Sequence, residues 1–186
     1  DLHDDIGARL THLSLMADRI PGGAGDVAQA ARQTIQAMDE LVWTVNARND
    51  TAEAIINYAL AYADEYLQTA NIRLRLSAPV SVPDVMVQAE TRRHIFLCLK
   101  EALNNVVKHS AASEVHLSVA VAADALQFTI RDNGRGFETS RATPTGNGLS
   151  GMEMRARAAH GRCEITSTTG AGTTVHIHVP LATAAS

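Results

Sequence analysis

The segment KEALNNVVKHS contains polar residues at helical spacing. Glu101, Asn105 and either Lys108 or His109 recur at intervals of three or four residues, which places them on one face of a helix. A carboxylate, an amide oxygen and a cation on one face suit a Mg²⁺ ion and the phosphates that it bridges. A charged face is also typical of an ordinary solvated helix, so this segment alone leaves both interpretations open.

The segment RDNGRGF follows a predicted strand. Asp132 lies at the strand end, and Gly134 and Gly136 allow the backbone to approach a ligand closely or to take a positive φ. Asn-Gly is also a common hairpin turn. Because no strand follows and the chain stays polar, the sequence favours a binding loop over a hairpin.

A second glycine-rich segment, GNGLSGM, leads into a predicted helix. Gly146, Gly148 and Gly151 would expose backbone N–H groups and the positive end of the helix dipole, which suit a phosphate. No βαβ unit surrounds this segment, so it does not match the dinucleotide-binding fingerprint.

His3 is followed directly by a carboxylate, Asp4. An imidazole accepts a phosphoryl group when one ring nitrogen is unprotonated and exposed, and a carboxylate on the other N–H makes the free nitrogen more basic. Asp4 is the candidate base. The helical period places His3 on the flank of an apolar stripe, where another domain could reach it. Without a nucleotide site elsewhere in the chain, a plain exposed histidine is the simpler interpretation.

The first part of the chain predicts a helical hairpin. Apolar residues alternate in steps of four and three from Leu2 to Ile20 and again from Val27 to Val45, which is typical of helices that pack along a seam. PGGAG separates the two stretches, so the helices are expected to be antiparallel neighbours. Because one hairpin has too little surface to bury both stripes, we expect a homodimer with a four-helix bundle.

From Asp50 onward the pattern predicts a mixed α+β unit. Asp50 or Thr51 offers a cap for a third helix that ends near Thr69. The predicted strands are NIRLRLS, VHLSVAV, ALQFTIRD, RCEITST and TTVHIHV, and the predicted helices are Gln88 to Lys108 and MEMRARAAH. Since four of the strands follow one another mostly as hairpins, we expect an antiparallel sheet with helices on one face.

Composition excludes several classes of protein. Apolar residues make up 46% of the 186-residue chain and charged residues 19%, as in a soluble globular protein. The net charge is −4 and basic residues are interspersed, so nucleic acid is not an expected partner. No apolar run is long enough to span a membrane. Cys98 and Cys163 lie in apolar runs and are expected to be buried thiols.

Four motifs, taken in their order along the chain, resemble the ATP-binding domain of the GHKL superfamily, which includes histidine kinases, Hsp90, gyrase and the DNA-mismatch-repair ATPases. They are E-x-x-x-N on a helix, D-x-G-x-G after a strand, G-x-G-L-x-G-M at a helix start, and G-x-G-T (Gly170, Gly172, Thr173) before the last strand. The resemblance extends from about Ile72 to Leu181. It implies an α/β sandwich of the Bergerat type.

The resemblance implies roles for these residues in binding ATP and Mg²⁺. Asn105 would hold Mg²⁺ on the triphosphate, with Glu101 supporting the metal and its water, and Lys108 and His109 would lie near the phosphates. Asp132 would accept a hydrogen bond from the adenine amino group. The other implied cofactor-binding residues are Gly134, Gly136, Gly146, Gly148, Leu149, Gly151, Met152 and, through water, Thr173. A lid over the nucleotide would span about 138–148, a stretch whose polar composition suits a loop.

The front end carries a second resemblance. A hairpin whose first helix contains H-D-D-I-G resembles the dimerisation and phosphoacceptor domain of the NarX- and DesK-like sensor histidine kinases. It implies a dimerisation and histidine phosphotransfer hairpin over residues 1–49, truncated at its N-terminus, and a catalytic ATP-binding domain over 50–186. ATP would phosphorylate His3, and an aspartate of a response regulator receiver domain would then accept the phosphoryl group. The chain would be the cytoplasmic part of a sensor whose membrane segments lie upstream.

Two other functions stay open at this point. One is a GHKL-type ATPase that drives a conformational clamp, and the other is a nucleotide-binding dimerisation module without histidine kinase activity. The second requires broken motifs, whereas Asn105, Asp132 and the glycine positions are all filled.

Two further patterns have simpler interpretations. His176 and His178 share one face of a predicted strand, but no third ligand is near in sequence, so we expect no metal site there. The tyrosines at helical spacing, Tyr58, Tyr62 and Tyr66, are expected to pack between the two domains.

Overall fold

The computed structural model describes residues 50–122, 125–138 and 147–181. All of them belong to the second of the two units into which the chain divides, Arg48–Ser186. The predicted hairpin and four-helix bundle, with His3 and Asp4, lie outside the described residues. The predicted domain boundary at 49/50 and the dimer therefore stay predictions.

Three α-helices and five strands form the described unit. The helices are α1 (Ala52–Thr69), α2 (Ala89–Asn105) and α3 (Asn147–Ala158), and a π-helical turn, Val106–Ser110, extends α2. The strands are β1 (Arg73–Ser77), β2 (Glu114–Ala122), β3 (Ala125–Asp132), β4 (Arg162–Thr168) and β5 (Gly172–Pro180). The predicted strands and the third helix are thus confirmed to within a few residues.

The five strands form one sheet in the order β1-β2-β3-β5-β4. Three of the four pairings are antiparallel, but β1 pairs with β2 in parallel, with Arg73 opposite Glu114. The prediction of an antiparallel sheet was therefore wrong for β1. Its connection to β2 passes through α2, and such a helical crossover is how parallel neighbours are joined.

The strands bury alternate residues on the face that packs against the helices. Along β2 the inner positions are Val115, Leu117 and Val119, each at most 6% exposed, whereas His116 between them is exposed. The period of two is what a sheet with one buried face requires. This face packs on α2 and α3, which brings both helices over the sheet and leaves room for a cavity at their ends.

The first residues of the described unit, Asp50 and Thr51, are held by hydrogen bonds and an ion pair. The Thr51 hydroxyl caps α1 by accepting a hydrogen bond from Ala54 N (3.1 Å), and Val87 N donates to Asp50 O (2.9 Å). Asp50 also forms an ion pair with Arg92, whose side chain is fully buried in α2. A buried guanidinium needs such a partner, so the start of this unit is fixed to α2.

The tyrosine stripe of α1 packs on α2 within this unit. The rings of Tyr58 and Tyr62 each lie 5.0 Å from the ring of Phe96. The ring partner shown is thus a residue of the same unit; the expectation that these tyrosines pack between the two domains involves residues outside the described range and stays a prediction. An apolar stripe in a sequence shows that a face is covered, without showing by which partner.

Candidate functional site

A cavity of about 750 Å³ lies where the ends of α2 and α3 meet the ends of β3 and β5. Its walls come from α2, the π-helical turn, α3 and the three strands β3, β4 and β5. The sequence-predicted residues that line it are Glu101, Asn105, Lys108, His109, Asp132, Gly136, Gly148, Leu149, Met152 and Thr173. Residues from four separate motifs therefore meet in one site.

The polar residues of α2 form one end of the cavity, which we call the α2 end: Glu101, Asn105 and the neighbouring Gly148. A Cβ atom on Gly148 would lie 2.4 Å from Glu101 Oε1 and 3.6 Å from Asn105 Nδ2. The start of α3 can therefore approach these two side chains only because residue 148 has no side chain. The glycine predicted to cradle a phosphate also makes this contact possible.

Asn105 Nδ2 is buried and has no hydrogen-bond partner among the described residues. An unpaired buried amide costs free energy, so a native structure rarely keeps one without a reason. A carboxylate and an amide together supply the oxygen ligands that Mg²⁺ takes in proteins. The residues of the α2 end therefore fit a metal-bound phosphate.

The π-helical turn places Lys108 and His109, both exposed, at the rim of the cavity. Ser110 holds this turn, because its hydroxyl donates to Val106 O (2.7 Å) and its carbonyl oxygen accepts from Arg135 N (2.8 Å). Single π-helical turns are frequent at functional sites. The wider turn was not predicted, since nothing in the sequence distinguishes it from a continuing α-helix.

Asp132 and Thr173 line the cavity where the neighbouring strands β3 and β5 meet it, and we call this part the β3 end. Asp132 is only 4% exposed, and its Oδ1 accepts a hydrogen bond from Gly134 N (2.8 Å). Gly134 does not line the cavity itself: a Cβ there would lie 2.3 Å from Ser110 O. Its role is to let the loop fold tightly enough for its N–H to hold the carboxylate.

Hydrogen bonds around Ser167 determine what Thr173 offers to a ligand. Ser167 Oγ donates to Gly172 O (3.0 Å) and also lies 3.0 Å from Thr173 Oγ1. Since a serine hydroxyl has one proton, Thr173 is the donor in the second bond. The lone pairs of Thr173 Oγ1 are then available as acceptors at the cavity wall.

The sequence did not identify every lining residue. Arg135, Asn104 and Ser110 lie within the recognised motifs, and Arg135 Nε donates to His109 O (2.7 Å), which fixes it at the rim. The remaining unpredicted lining residues are Ala102, Val106, Ile130, Phe137, Ile165 and Val175. The strand residues among them carry only the signal of alternate burial, which does not separate a cavity wall from a core.

Some predicted residues lie elsewhere or outside the described range. Gly151 is buried on α3 beside Arg155 and does not line the cavity. Gly146 and most of the predicted lid lie outside the described residues, as do His3 and Asp4. Within the described residues, no group of three or more His, Cys, Asp or Glu side chains could hold a metal ion.

Both thiols are free and buried, as predicted. Burial raises the pKa of Cys98 to about 12 and that of Cys163 to about 11, and the carboxylates of Glu153 and Glu164 add to the effect at Cys163. Cys98 Sγ donates to Met152 O (3.3 Å), behind the cavity wall.

In the part of the chain that the structure describes, no helix has the length and apolar character needed to cross a membrane.

Comparison with known proteins decides the family. The model of a family described as "Histidine kinase-, DNA gyrase B-, and HSP90-like ATPase" matches residues 90–183. The chain belongs to this family. Membership in it implies an ATP-binding domain, and the matched residues include both ends of the cavity.

Relatives of this chain include proteins named as sensor histidine kinases. It is 25% identical over 190 residues to the sensor histidine kinase LiaS of Bacillus subtilis, and the match covers 97% of the chain and 52% of LiaS. It is 27% identical over 187 residues to the nitrate/nitrite sensor protein NarX of Escherichia coli, covering 94% of the chain and 31% of NarX. The chain is therefore similar to the NarX-like class. It spans about half the length of LiaS and about a third of the length of NarX.

A solved structure shows the same fold. The histidine kinase domain of the blue-light activated histidine kinase EL346 from Erythrobacter litoralis matches with a TM-score of 0.64 at 20% identity. The match covers 97% of this chain and 94% of that domain. The α/β fold expected from the GHKL resemblance is thereby confirmed for the described unit.

Proposed function

We propose that this chain is the catalytic core of a two-component sensor histidine kinase. It binds Mg-ATP in the cavity, transfers the γ-phosphoryl group to His3, and passes it on to an aspartate of a response regulator. The observation that carries the proposal is the meeting of Glu101, Asn105, Asp132 and Thr173 in one cavity. Their order along the chain is that of the ATP-binding motifs.

The adenine base would bind at the β3 end. Gly134 N engages only one oxygen of the buried Asp132 carboxylate, which leaves the other to accept from the exocyclic amino group. Thr173, an acceptor at the same wall, suits a water that completes the contact. Apolar neighbours such as Ile130, Ile165 and Val175 flank these groups and would cover the faces of a flat ring.

The triphosphate would extend toward the α2 end. When bound, Mg²⁺ would neutralise phosphate charge. The Asn105 amide and the Glu101 carboxylate are the residues that would hold it and its water, and Lys108 and His109 supply positive charge at the rim. These groups position the phosphates, because phosphoryl transfer needs orientation and charge neutralisation more than covalent help from the protein.

His3 would be the acceptor and Asp4 its base. Residues 1–49 make up 49 of the 186 residues, so alignments over 94–97% of the chain include most of this segment. That coverage supports a hairpin shared with the sensor kinases; the assignment of His3 itself rests on the H-D-D-I-G motif. By the same likeness the core works as a homodimer, with a receiver domain as its partner, in the cytoplasm.

Transfer of label from γ-labelled ATP tests the proposal. With Mg²⁺ present we expect acid-labile label on the wild-type protein and none on His3→Gln. His12→Gln is the matched control, because His12 lies nine residues further along the same predicted helix, and it should keep the label. Label that persists on His3→Gln, or release of phosphate without any labelled protein, would overturn the proposal.

A further inference from the structure

Asn104 occupies the cavity wall at a variable position of the E-x-x-x-N motif, between Glu101 and Asn105. It lines the cavity together with Glu101 and Asn105. Its side-chain oxygen is already engaged, because Tyr66 of α1 donates its hydroxyl to Asn104 Oδ1 (3.2 Å). A residue of α1 therefore acts on the wall of the ATP site although α1 contributes nothing to its lining.

An aromatic cluster of α1 and α2 holds the Tyr66 ring. The rings of Tyr66 and Tyr62 stack with their centroids 5.6 Å apart at an angle of 10°. Tyr62 in turn meets Phe96 of α2 edge-on, at 5.0 Å and 80°. Such pairs stabilise defined ring positions, so the Tyr66 hydroxyl is fixed relative to α2.

The same hydroxyl is sensitive to the charge of the site. Burial raises the pKa of Tyr66, and the Glu101 carboxylate raises it further. The phenol therefore keeps its proton well above neutral pH and remains a donor. Because the Asn104 side-chain oxygen accepts this hydrogen bond, the amide nitrogen is left as the donor available to the cavity.

We propose that Tyr66 is a positioning residue of the ATP site, whose hydroxyl fixes the Asn104 amide so that its N–H group faces the phosphates beside Glu101. This inference rests on the proposed function. Tyr66 does not touch the nucleotide; it acts through Asn104. It also makes the position of α1, the first helix after the predicted hairpin, a determinant of ATP affinity.

The variant Tyr66→Phe keeps the ring and removes the hydroxyl. We expect it to bind ATP about 3- to 10-fold more weakly, the effect of one neutral hydrogen bond. Tyr58→Phe is the matched control, since it removes a hydroxyl from the same cluster about 12 Å away along α1 and should leave ATP affinity unchanged. Affinity is measured directly, by calorimetry with Mg-ATP, so that the readout does not depend on phosphoryl transfer.

A double-mutant cycle distinguishes positioning from packing. If Tyr66 acts through Asn104, Tyr66→Phe has no further effect on ATP affinity in an Asn104→Ala background. Additive losses, or a Tyr66→Phe affinity equal to wild type, would overturn the inference. A wild-type protein that bound no ATP would instead overturn the proposed function, and so the two failures are distinguishable.

Discussion

The two ends of the cavity differ in how far the protein satisfies its own polar groups. At the β3 end, Asp132 and Thr173 are held by hydrogen bonds from Gly134 and to Ser167. At the α2 end, the buried Asn105 Nδ2 has no partner among the described residues. The β3 end is organised by the fold alone, whereas the α2 end has polar capacity that a ligand would satisfy. This difference leads to separate expectations for the base and the phosphates.

The largest expected effect is that of Asn105→Ala. We expect phosphoryl transfer to fall about 100-fold or more, since even outer-shell partners of a metal ligand typically contribute 10- to 100-fold. Adenosine, which has no phosphates, should bind as tightly as to wild type. Labelling rates and adenosine calorimetry measure the two effects.

The control for this variant is Asn57→Ala, at an exposed asparagine of α1, which should behave as wild type in both assays. Equal losses of ATP and adenosine affinity in Asn105→Ala would contradict a division of labour between the two ends.

Asp132→Asn tests the β3 end in the opposite way. The amide can still accept from Gly134 N, but it loses the charged acceptor for an amino group. We expect ATP and adenosine to bind about 10- to 100-fold more weakly, both to the same extent. Asp84→Asn, at an exposed aspartate outside the cavity, should bind both ligands normally. Loss of ATP affinity alone would place Asp132 at the phosphates instead of the base.

A pair of glycine variants tests whether the β3 end is sterically fixed. Gly136 and Gly170 both have positive φ, +57° and +82°, but a Cβ on Gly136 would lie 2.1 Å from Thr168 O, whereas one on Gly170 meets nothing within 4 Å. We expect Gly170→Ala to lower the free energy of unfolding by about 1–2 kcal/mol. Gly136→Ala should cost a further ~1–3 kcal/mol. Urea unfolding compares them, and equal losses would mean that the loop can relax.

The smallest effect concerns the thiols behind the cavity wall. Because burial raises the pKa of Cys98 to about 12, the folded thiol binds a proton that the unfolded thiol, with a pKa near 8.5, has lost at alkaline pH. The contribution of the protonated Cys98 thiol to the free energy of unfolding is complete below about pH 8.5 and is lost as pH rises toward 12. We expect the urea midpoint to fall between pH 8.5 and 10.5 more steeply for wild type than for Cys98→Ala. Rapid alkylation of Cys98 in the native protein at pH 8 would contradict the burial of this thiol.

The sequence was informative where a pattern depends on local physics. The periods of two and 3.6 located the strands and α1, and the spacing of Glu101 and Asn105 placed them on one face. The first turn of α3 was missed: MEMRARAAH begins at Met152, whereas the helix begins at Asn147. Glycines disfavour a helix locally, but Gly148 is tolerated because the helix must approach Glu101.

Features that depend on distant contacts could not be predicted. The parallel pairing of β1 follows from the passage of α2 over the sheet, which the run of later hairpins did not indicate. The contact between Tyr66 and Asn104 joins residues 38 positions apart, and their spacing carries no periodic signal. Arg135 lay within a recognised motif, yet its bond to the His109 backbone needs the π-helical turn.

The most direct test of the central proposal is to locate the phosphoryl group after incubation with Mg-ATP. The tryptic peptide that ends at Arg9 contains His3 and, from residue 1 onward, no serine, threonine or tyrosine. We predict that mass spectrometry under alkaline conditions finds one phosphoryl group on His3 in this peptide. An unmodified peptide alongside free phosphate would contradict the account and identify the protein as an ATPase.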